Sequence, residues 1–173
     1  MKSIAFALAT FALVANNQIK SVSTLGKAEA ACRANEAGPA LLIEVSGLKD
    51  RKGLLRAELY PANDADFLAD DNLLIQQGKT FRRVDMSIPP AGNPLICLRV
   101  PSPGSYSLSI LHDRDRNLKF NLLSDGIGFS GNPVLARSKP KAAATTLIAG
   151  SELTRIKVTL NYLRGFSMRP LSK

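Results

Sequence analysis

A polar stretch at residues 112–121 (HDRDRNLKFN) contains the residue types that build a metal loop or an active site. Oxygen ligands at loop positions 1, 3, 5 and 9, with a backbone carbonyl at position 7, are the arrangement by which a protein loop wraps calcium. The residues at these positions are Asp113, Asp115, Asn117, Lys119 (through its carbonyl) and Asn121. The spacing therefore raises the hypothesis of a calcium site, and no other cofactor is expected.

Several residues of the same loop weigh against calcium. Leu118 occupies the sixth position, where the sharp turn favours glycine, and Ser124 the twelfth, where a bidentate glutamate is expected. Asp125 is adjacent to that position but out of register. Arg114 and Arg116 lower the negative charge of the loop. In the alternative interpretation the short polar side chains cap their own backbone in Asx turns, and the loop is structural.

His112, the only histidine in the chain, ends the alternating segment 104–112. Tyr106, Leu108 and Ile110 share its parity and form a predicted core-facing row. The imidazole therefore stands where the strand turns into the loop. A histidine there can donate a ring hydrogen to a loop carbonyl or carboxylate, which pins the loop and fixes the tautomer. A structural role is the main alternative to a catalytic one.

A second motif, GFSGN at residues 128–132, departs from the GxSxG pattern of a nucleophile turn only in its last residue. The candidate binding or structural residues therefore also include Gly128, Phe129 and Ser130. A hydrolase would place His112 beside Ser130 or Asp125. The motif lacks the strand–turn–helix context that such a nucleophile requires, and the sequence has no phosphate-cradling loop. We therefore favour a non-enzymatic protein, with a hydrolase as an alternative.

The elements that must position these residues are predicted to be strands. Seven segments are apolar or alternate between apolar and polar residues, and Gly- and Pro-containing turns separate most of them. They are residues 40–46, 53–60, 80–88, 93–100, 104–112, 143–149 and 155–162. Alternation with one polar face is typical of an antiparallel sheet that has one side in water. The pattern predicts an all-β, antiparallel β-sandwich of about seven strands, immunoglobulin-like or transthyretin-like.

Two segments are predicted to lie outside this strand pattern. Residues 64–72 (DADFLADDN) favour a short helical turn. Residues 116–140 form a long stretch that is poor in strand signals, and loops of this length are often functional.

The N-terminus has the pattern of an export signal. Lys2 precedes a short apolar stretch at residues 4–15, which is too short for a stable membrane anchor. Cleavage after Ala30, in the AEA motif, and cleavage after Ala15 are both candidates. The predicted organisation is a signal peptide at 1–31, a β-sandwich domain at 32–163 and a flexible tail at 164–173. No transmembrane anchor is expected once the signal is removed.

Cysteine content and charge extend this prediction. Cys32 and Cys97 are the only cysteines, and an even count in an exported chain favours a disulfide, with two buried thiols as the alternative. The formal net charge of +9 favours an anionic envelope component or another envelope protein as partner. Nucleic acid is not favoured, because the basic residues are scattered and tryptophan is absent.

The stretch PSPGSYSLSILHDRDRNLKFNLLSDGIGFSGNP resembles the signature of DUF2141, a bacterial family of unknown function. Matching features are Pro103-Gly104, Tyr106, His112-Asp113, Asn117, Lys119-Phe120, Gly126, Gly128-Phe129-Ser130 and Asn132. The segment VSGLKDRKGLLRAELY (residues 45–60) is similar to the family's first hairpin, and the resemblance extends over about residues 40–163. Cys97 lies in ICLRVPSPGSY, which resembles members that pair an N-terminal cysteine with one in this strand.

The resemblance implies an exported, sandwich-like domain in the periplasm or outside a bacterial cell, and it implies no activity. The chain departs from the family pattern at Arg114, Arg116, Asn121 and Gly131. If relatives bind a cation in this loop, those changes weaken the site. The main hypothesis is a binding or interaction module of the cell envelope. A calcium-dependent carbohydrate-binding or adhesion domain that uses residues 113–121 is the alternative, and a hydrolase with His112 is the second.

Overall fold

The computed structural model describes residues 18–136 and 138–171, so the apolar stretch of the predicted signal peptide lies outside the described residues. Ten strands and three short helices form within these bounds. The strands are β1 (Ala40–Ser46), β2 (Leu54–Pro61), β3 (Arg82–Ser87), β4 (Leu95–Arg99), β5 (Gly104–Asp113), β6 (Gly126–Phe129), β7 (Thr146–Ala149), β8 (Leu153–Thr159), β9 (Asn161–Arg164) and β10 (Ser167–Pro170). The helices are α1 (Lys27–Ala30), α2 (Asp71–Gln76) and α3 (Ala142–Thr145).

The strands form two sheets. In the smaller sheet, β1 lies between β4 and β8. The larger sheet has the order β10-β9-β6-β5-β2-β3, and β7 pairs with the first part of β5. The predicted all-β sandwich is therefore confirmed. The pair of β1 with β8 is parallel, which the alternating patterns did not indicate.

The core lies between the two sheets and is built from the apolar faces that alternation predicts. Strand β1 contributes Leu41 and Ile43 from the smaller sheet, and β5 contributes Leu108 and Ile110 from the larger one, all with no exposed surface. Each such side chain stabilises the fold by about 1.5–3 kcal/mol through removal of apolar surface from water. This core holds β5 in place, and with it the start of the polar loop.

The outer face of the larger sheet is also covered, which differs from the predicted sheet with one side in water. Residues 106–113 of β5 are buried without interruption, and Ser107 and Ser109 are 0% and 3% exposed. Thr145 of α3 donates a hydrogen bond to the Ser107 hydroxyl, so this polar side chain is satisfied under its cover. A second apolar cluster, which includes Phe67 and Phe81, packs over this face. The fold therefore has a partial third layer.

Four segments differ from the predicted elements. The predicted strand 155–162 is divided at Leu160, where the chain leaves β8 in the smaller sheet and enters β9 in the larger. The tail predicted to be flexible contains β10, which forms a hairpin with β9. Helix α2 begins at Asp71, near the end of the predicted helical turn. Helix α3 occupies the first part of the predicted strand 143–149.

The described part of the predicted signal segment packs against the domain. Ala30 has no exposed surface and belongs to the core. The Gly26 carbonyl accepts a hydrogen bond from the backbone amide of Arg83 at 3.1 Å, and Lys27 forms an ion pair with Asp85 at 2.8 Å. Residues 18–31 therefore cover β3, the edge strand of the larger sheet. Within the described residues, no helix has the length and hydropathy needed to span a bilayer.

A disulfide joins Cys32 to Cys97, as predicted, with the two Cα atoms 5.9 Å apart. It connects the segment before β1 to strand β4. Because β4 pairs directly with β1, the bond ties the N-terminal segment to the smaller sheet.

Candidate functional site

Strand β5 ends in a buried histidine whose ring nitrogens both have partners. The Nε2 atom of His112 lies 2.8 Å from the carbonyl oxygen of Lys52, and Nδ1 lies 2.6 Å from the hydroxyl of Tyr162. The backbone amide of Lys49 donates to the same hydroxyl at 3.0 Å. We call His112, Tyr162 and the Lys52 carbonyl the histidine anchor. It connects β5, β9 and the loop between β1 and β2.

The partners of His112 define its protonation. A carbonyl only accepts hydrogen bonds, so Nε2 carries the ring hydrogen and donates it to Lys52. Nδ1 then accepts from the Tyr162 hydroxyl. Burial lowers the pKa of His112 below its ordinary value, and burial raises the pKa of Tyr162 to about 12. Both groups are therefore neutral near pH 7, and the network is hydrogen-bonded without a buried charge.

Two glycines allow close packing around the end of β5, one against Tyr162 and one against the backbone of Asp113. A Cβ atom on Gly126 would lie 2.5 Å from the Tyr162 ring. A Cβ on Gly53, which has a φ of +75°, would lie 1.9 Å from the Asp113 carbonyl oxygen. At both positions the backbone lies so close to neighbouring atoms that a residue with a Cβ atom would not fit.

An ion pair connects the β1–β2 loop to the polar loop after β5. The guanidinium of Arg114 donates through Nε and Nη2 to the carboxylate of Asp50, and Nη1 donates to the Ser124 carbonyl at 2.9 Å. The hydrogen bonds from Arg114 hold the pKa of Asp50 at about 2. Arg114, which sequence reasoning treated only as a charge that opposes calcium, is directed towards Asp50.

The segment 113–125, which we call the aspartate loop, contains consecutive Asx turns. Asp115 Oδ1 accepts from the Asn117 amide at 3.1 Å. Asn117 Oδ1 then accepts from the Lys119 amide, and Asn121 Oδ1 from the Leu123 amide. The side-chain oxygens of Asn117 and Asn121 therefore already cap the backbone. Of the predicted 1-3-5-9 ligand set, Asp113 and Asp115 approach each other closely, and the calcium site of the full set stays a prediction.

A different set of carboxylates meets in the aspartate loop. One oxygen each from Asp113, Asp115 and Asp125 lie within 4.8 Å of one another, and we call these three residues the carboxylate cluster. Asp113 is fully buried. Its Oδ2 accepts from the Leu118 amide at 2.8 Å, whereas its Oδ1 has no hydrogen-bond partner among the described residues. Burial is the largest cause that raises the pKa of Asp113, and the adjacent carboxyl of Asp115, which can share a proton with it, and the charge of Asp125 act in the same direction.

The conformation of Leu118 removes one objection to a cation in this loop. Leu118 has a φ of +64°, and Arg116 a φ of +61°. These left-handed conformations are costly for non-glycine residues and persist where the surrounding contacts impose them. The sharp turn that normally calls for glycine is thus formed here by leucine, and its amide faces Asp113.

A cavity of about 950 Å³ opens on the outer face of the larger sheet, and the aspartate loop supplies one of its walls. Its size falls in the range of small-molecule sites, roughly 300–1,000 Å³. The apolar lining comes from the sheet, the aspartate loop, the β9–β10 hairpin and the segment before α3. The residues are Leu111, Ile127, Phe129, Leu118, Phe120, Leu122, Leu163, Phe166, Met168, Leu135 and Pro140.

Exposed apolar side chains line this outer cavity or lie next to its lining residues in the chain. Phe166, at the turn of the β9–β10 hairpin, is 93% exposed, and Leu122 is 47% exposed. Leu123 and Val134, which adjoin lining residues in the chain, are 78% and 99% exposed. Large apolar side chains concentrated around an opening are typical of a ligand or lipid contact surface.

The polar part of the cavity wall is a row of ion pairs across β2 and β3. Arg56 donates to both oxygens of Asp85, at 2.8 and 2.9 Å, and Arg83 donates to Glu58 at 2.7 Å. In each pair the positive and negative charges in the cavity wall neutralise each other. Lys139, also in the wall, is exposed and donates to the backbone carbonyls of Phe67 and Asp64.

The GFSGN motif has structural contacts. Ser130 Oγ donates to the Thr145 carbonyl and accepts from the Leu108 amide. Leu108 is four residues from His112 along β5, or about 13 Å at the usual strand rise. A pair of His112 as base and Ser130 as nucleophile is therefore contradicted, because each side chain is engaged in a separate part of the sheet. Asp125 likewise bonds to its own loop.

Gly128 and Phe129 have packing roles as well. A Cβ on Gly128 would lie 2.7 Å from the Val158 side chain, so glycine allows β6 to approach β8. Phe129 packs edge-on against Phe67 with 5.8 Å between ring centroids. Phe129 also lines the outer cavity, and it is the one residue of this motif that faces a candidate ligand site.

Apart from Phe129, sequence reasoning did not identify the cavity residues, nor did it identify Asp50 and Tyr162 as partners of the loop and the histidine. The apolar residues at 118, 120, 122 and 123 within a polar loop were the available signal. Phe166, next to Gly165 in the predicted tail, was another. Asp50 and Lys52 had no distinguishing pattern, because a carbonyl acceptor and a distant counter-ion leave no local trace in the sequence.

The fold and the site define a β-sandwich domain that has a buried histidine anchor, a carboxylate-rich loop and an apolar cavity on its larger sheet. The model of the family described as "Uncharacterized protein conserved in bacteria (DUF2141)" matches residues 43–157, and the chain belongs to this family. No curated protein and no solved structure matches the chain. The aspartate loop lies inside the matched region, whereas Cys32, Tyr162 and Phe166 lie outside it.

Proposed function

We propose that the protein is a non-enzymatic binding protein of the bacterial cell envelope, whose ligand is a single aliphatic chain with an anionic head group. The observation that carries this proposal is the outer cavity, with its predominantly apolar lining and the exposed apolar residues in and beside that lining.

The shape and lining of the cavity support an aliphatic ligand. Two separate segments, the aspartate loop and the β9–β10 hairpin, bring Phe120, Leu122, Phe166 and Met168 to the same cavity. Each of these side chains costs free energy while it faces water, and an aliphatic chain would remove that surface from water. The charged side chains of the cavity wall are already paired with one another. The wall therefore offers few unpaired polar groups to a polar ligand such as a sugar.

The charge of the protein supports an anionic head group. Lys139 is exposed in the cavity wall and bonds to a backbone carbonyl. The chain as a whole carries a formal net charge of +9, which raises the local concentration of anions near its surface. A carboxylate or phosphate at the mouth would pair with Lys139 while the chain enters the cavity.

A displacement titration tests this function. Cis-parinaric acid, a fluorescent fatty acid, is bound to the protein and displaced by oleate or by oleyl alcohol. We expect oleate to displace the probe more effectively than the alcohol, and Lys139→Gln to reduce that difference. The double variant Leu122→Ser/Phe166→Ser should weaken probe binding by about tenfold or more.

The matched control is Ile148→Ser, since Ile148 is a 67% exposed apolar residue of β7 that does not line the cavity. This variant should bind the probe like the unmodified protein. An equal loss of binding in control and double variant, or no displacement by oleate, would exclude the proposed ligand class.

We also infer that the protein is exported and that its leader is removed after Ala15 rather than after Ala30. The apolar leader and the Cys32–Cys97 disulfide support export, because disulfides persist in oxidising compartments. The contacts of Gly26, Lys27 and Ala30 with the domain support retention of this segment, since cleavage after Ala30 would remove it and uncover β3.

Intact-mass measurement of the full chain secreted from a bacterial host tests this inference. A mature protein that begins at Asn16 is expected. A mature protein that begins at Ala31 would show that the segment is discarded, and a chain that retains the leader in the cytoplasm would exclude export.

A further inference from the structure

We propose that Asp113, Asp115 and Asp125 form a binding site for a calcium ion within the aspartate loop. One carboxylate oxygen from each residue lies within 4.8 Å of the other two. Calcium–oxygen distances of about 2.3–2.6 Å allow one ion to bridge oxygens that are up to about 5 Å apart. Three oxygens that share one ion at these distances lie up to about 4.5 Å from one another, so a small closure of the loop is enough for the cluster to hold calcium.

The unpartnered oxygen of Asp113 points independently to a ligand. Asp113 has no exposed surface, and Oδ1 lacks a hydrogen-bond partner among the described residues. A buried carboxylate oxygen without a partner loses its hydration and gains nothing in return. Other buried carboxylates of the protein are satisfied: Asp71 bonds to Arg83, and Asp125 accepts two backbone amides. A bound cation would supply the partner that Asp113 Oδ1 lacks.

The hydrogen bonds of the other two carboxylates orient them and leave room for coordination. Asp125 accepts from the amides of Arg114 and Asn121, and Asp115 accepts from the amide and the side chain of Asn117. Each carboxylate oxygen has two lone pairs, so an oxygen that accepts one hydrogen bond can still bind an ion. The loop backbone thus holds the ligands in place before the ion arrives.

The nearby cations do not neutralise the cluster through direct pairing. Arg114 directs its guanidinium to Asp50 and to the Ser124 carbonyl. Arg116 donates to the Gly53 carbonyl at 2.9 Å. Three carboxylates consequently face one another without a bonded counter-ion among the described residues, and a divalent cation would relieve their repulsion.

The donor set selects calcium over other common metals. All three side chains offer oxygen, which favours hard cations such as calcium and magnesium over zinc or copper. The nitrogens of His112, the only histidine, are both committed to the histidine anchor. Magnesium prefers distances of about 2.0–2.1 Å and strict octahedral geometry, so it would span at most about 4.2 Å between opposite oxygens. We therefore expect calcium to bind more tightly than magnesium.

Thermal unfolding of the full mature protein with calcium, with magnesium and with chelator tests the site. At a concentration about a hundredfold above the dissociation constant, calcium should raise Tm by about 5–10 °C for a chain of this size. Asp115→Asn should abolish the shift. Because Asp115 is exposed and asparagine preserves the Asx-turn acceptor, this variant should fold.

Asp70→Asn is the matched control, since Asp70 is exposed and makes no side-chain cap hydrogen bond at the start of α2. This variant should retain the full calcium shift. In chelator, Asp115→Asn should melt at or above the Tm of the unmodified protein, because it removes one of three repelling charges. Absence of a calcium shift at millimolar concentration, or an equal shift in Asp115→Asn, would overturn the proposal.

Discussion

His112 and Asp113 are neighbours on β5, and both are fully buried, yet their surroundings differ. His112 belongs to the inner side of the strand, and both of its ring nitrogens are hydrogen-bonded. Asp113 belongs to the outer side, and one of its oxygens has no partner among the described residues. A buried polar group that is satisfied by the protein holds the fold together. One that is not satisfied indicates a place where something else binds.

The same contrast extends to the two faces of the larger sheet. The inner face packs aliphatic side chains without exposed surface against the smaller sheet. The outer face carries ion pairs, the carboxylate cluster and a cavity whose walls come from loops and a terminal hairpin. We therefore expect substitutions on the inner side to alter stability, and those on the outer side to alter binding.

The largest expected effect is that of the disulfide, which ties the N-terminal segment to the smaller sheet. Its cysteines are 65 residues apart in the chain, so reduction should lower the free energy of unfolding by about 4 kcal/mol in the chain-entropy model. Urea unfolding with and without reductant measures this. The double variant Cys32→Ser/Cys97→Ser should not respond to reductant, and an unchanged stability on reduction would contradict the prediction.

Leucine truncations on the two faces compare them directly. Leu108→Ala removes a side chain with no exposed surface from the inner core, and should cost about 2–5 kcal/mol of stability. Leu122→Ala, at a side chain 47% exposed in the cavity wall, should cost less than about 1 kcal/mol. Chemical unfolding of both variants measures the difference, and equal losses would show that the cavity wall is part of the core.

Tyr162→Phe tests whether the histidine anchor is structural. It leaves His112 Nδ1 and the Lys49 amide without a partner, which should cost about 1–3 kcal/mol. Tyr106→Phe is the control, because its hydroxyl donates to the carbonyl of exposed Ser102 and water can replace it. A larger loss of stability in Tyr106→Phe than in Tyr162→Phe would contradict a structural role for the histidine anchor.

The smallest effect concerns the ion pair that joins the two loops. The pKa of Asp50 is lowered from 3.8 to about 2, so the pair adds stability above pH 3.8 and loses it as the pH falls towards 2. Asp50→Asn should therefore be less stable than the unmodified protein by about 1 kcal/mol at pH 7, because solvent screens this partly exposed pair, with the difference vanishing near pH 2. Urea unfolding over this pH range would contradict the prediction if the difference stayed constant.

Much of the fold could be predicted because alternation is a local signal. Leu55, Ala57 and Leu59 on β2 face the core as their spacing indicates. The strand split at Leu160 could not be predicted, since 155–162 keeps a regular alternation while the chain moves between sheets. Strand β10 was missed because its residues are mostly exposed, and its pairing with β9 leaves no hydrophobic pattern.

The candidate site was located in the sequence more accurately than it was interpreted. Residues 112–121 do contain His112, Asp113 and Asp115, which occupy the two environments described above. The hydrogen bonds that the Asn117 and Asn121 oxygens accept within the loop follow from the Asx-turn interpretation of the sequence. Asp125, which is out of register along the chain, folds back towards Asp113.

The order of residues along the chain was sufficient to determine the sandwich class, the disulfide pair and the strand that ends in His112. These features depend on periodicity and on residue type, both of which are local or countable. The unpartnered oxygen of Asp113 depends on the burial of that side chain in the folded protein. The partners of His112 lie 50 and 60 residues from it in the chain. The outer cavity is likewise formed by segments that are distant in the chain. Such contacts arise only when the two sheets and their outer layer pack, because burial is a property of the folded assembly of strands.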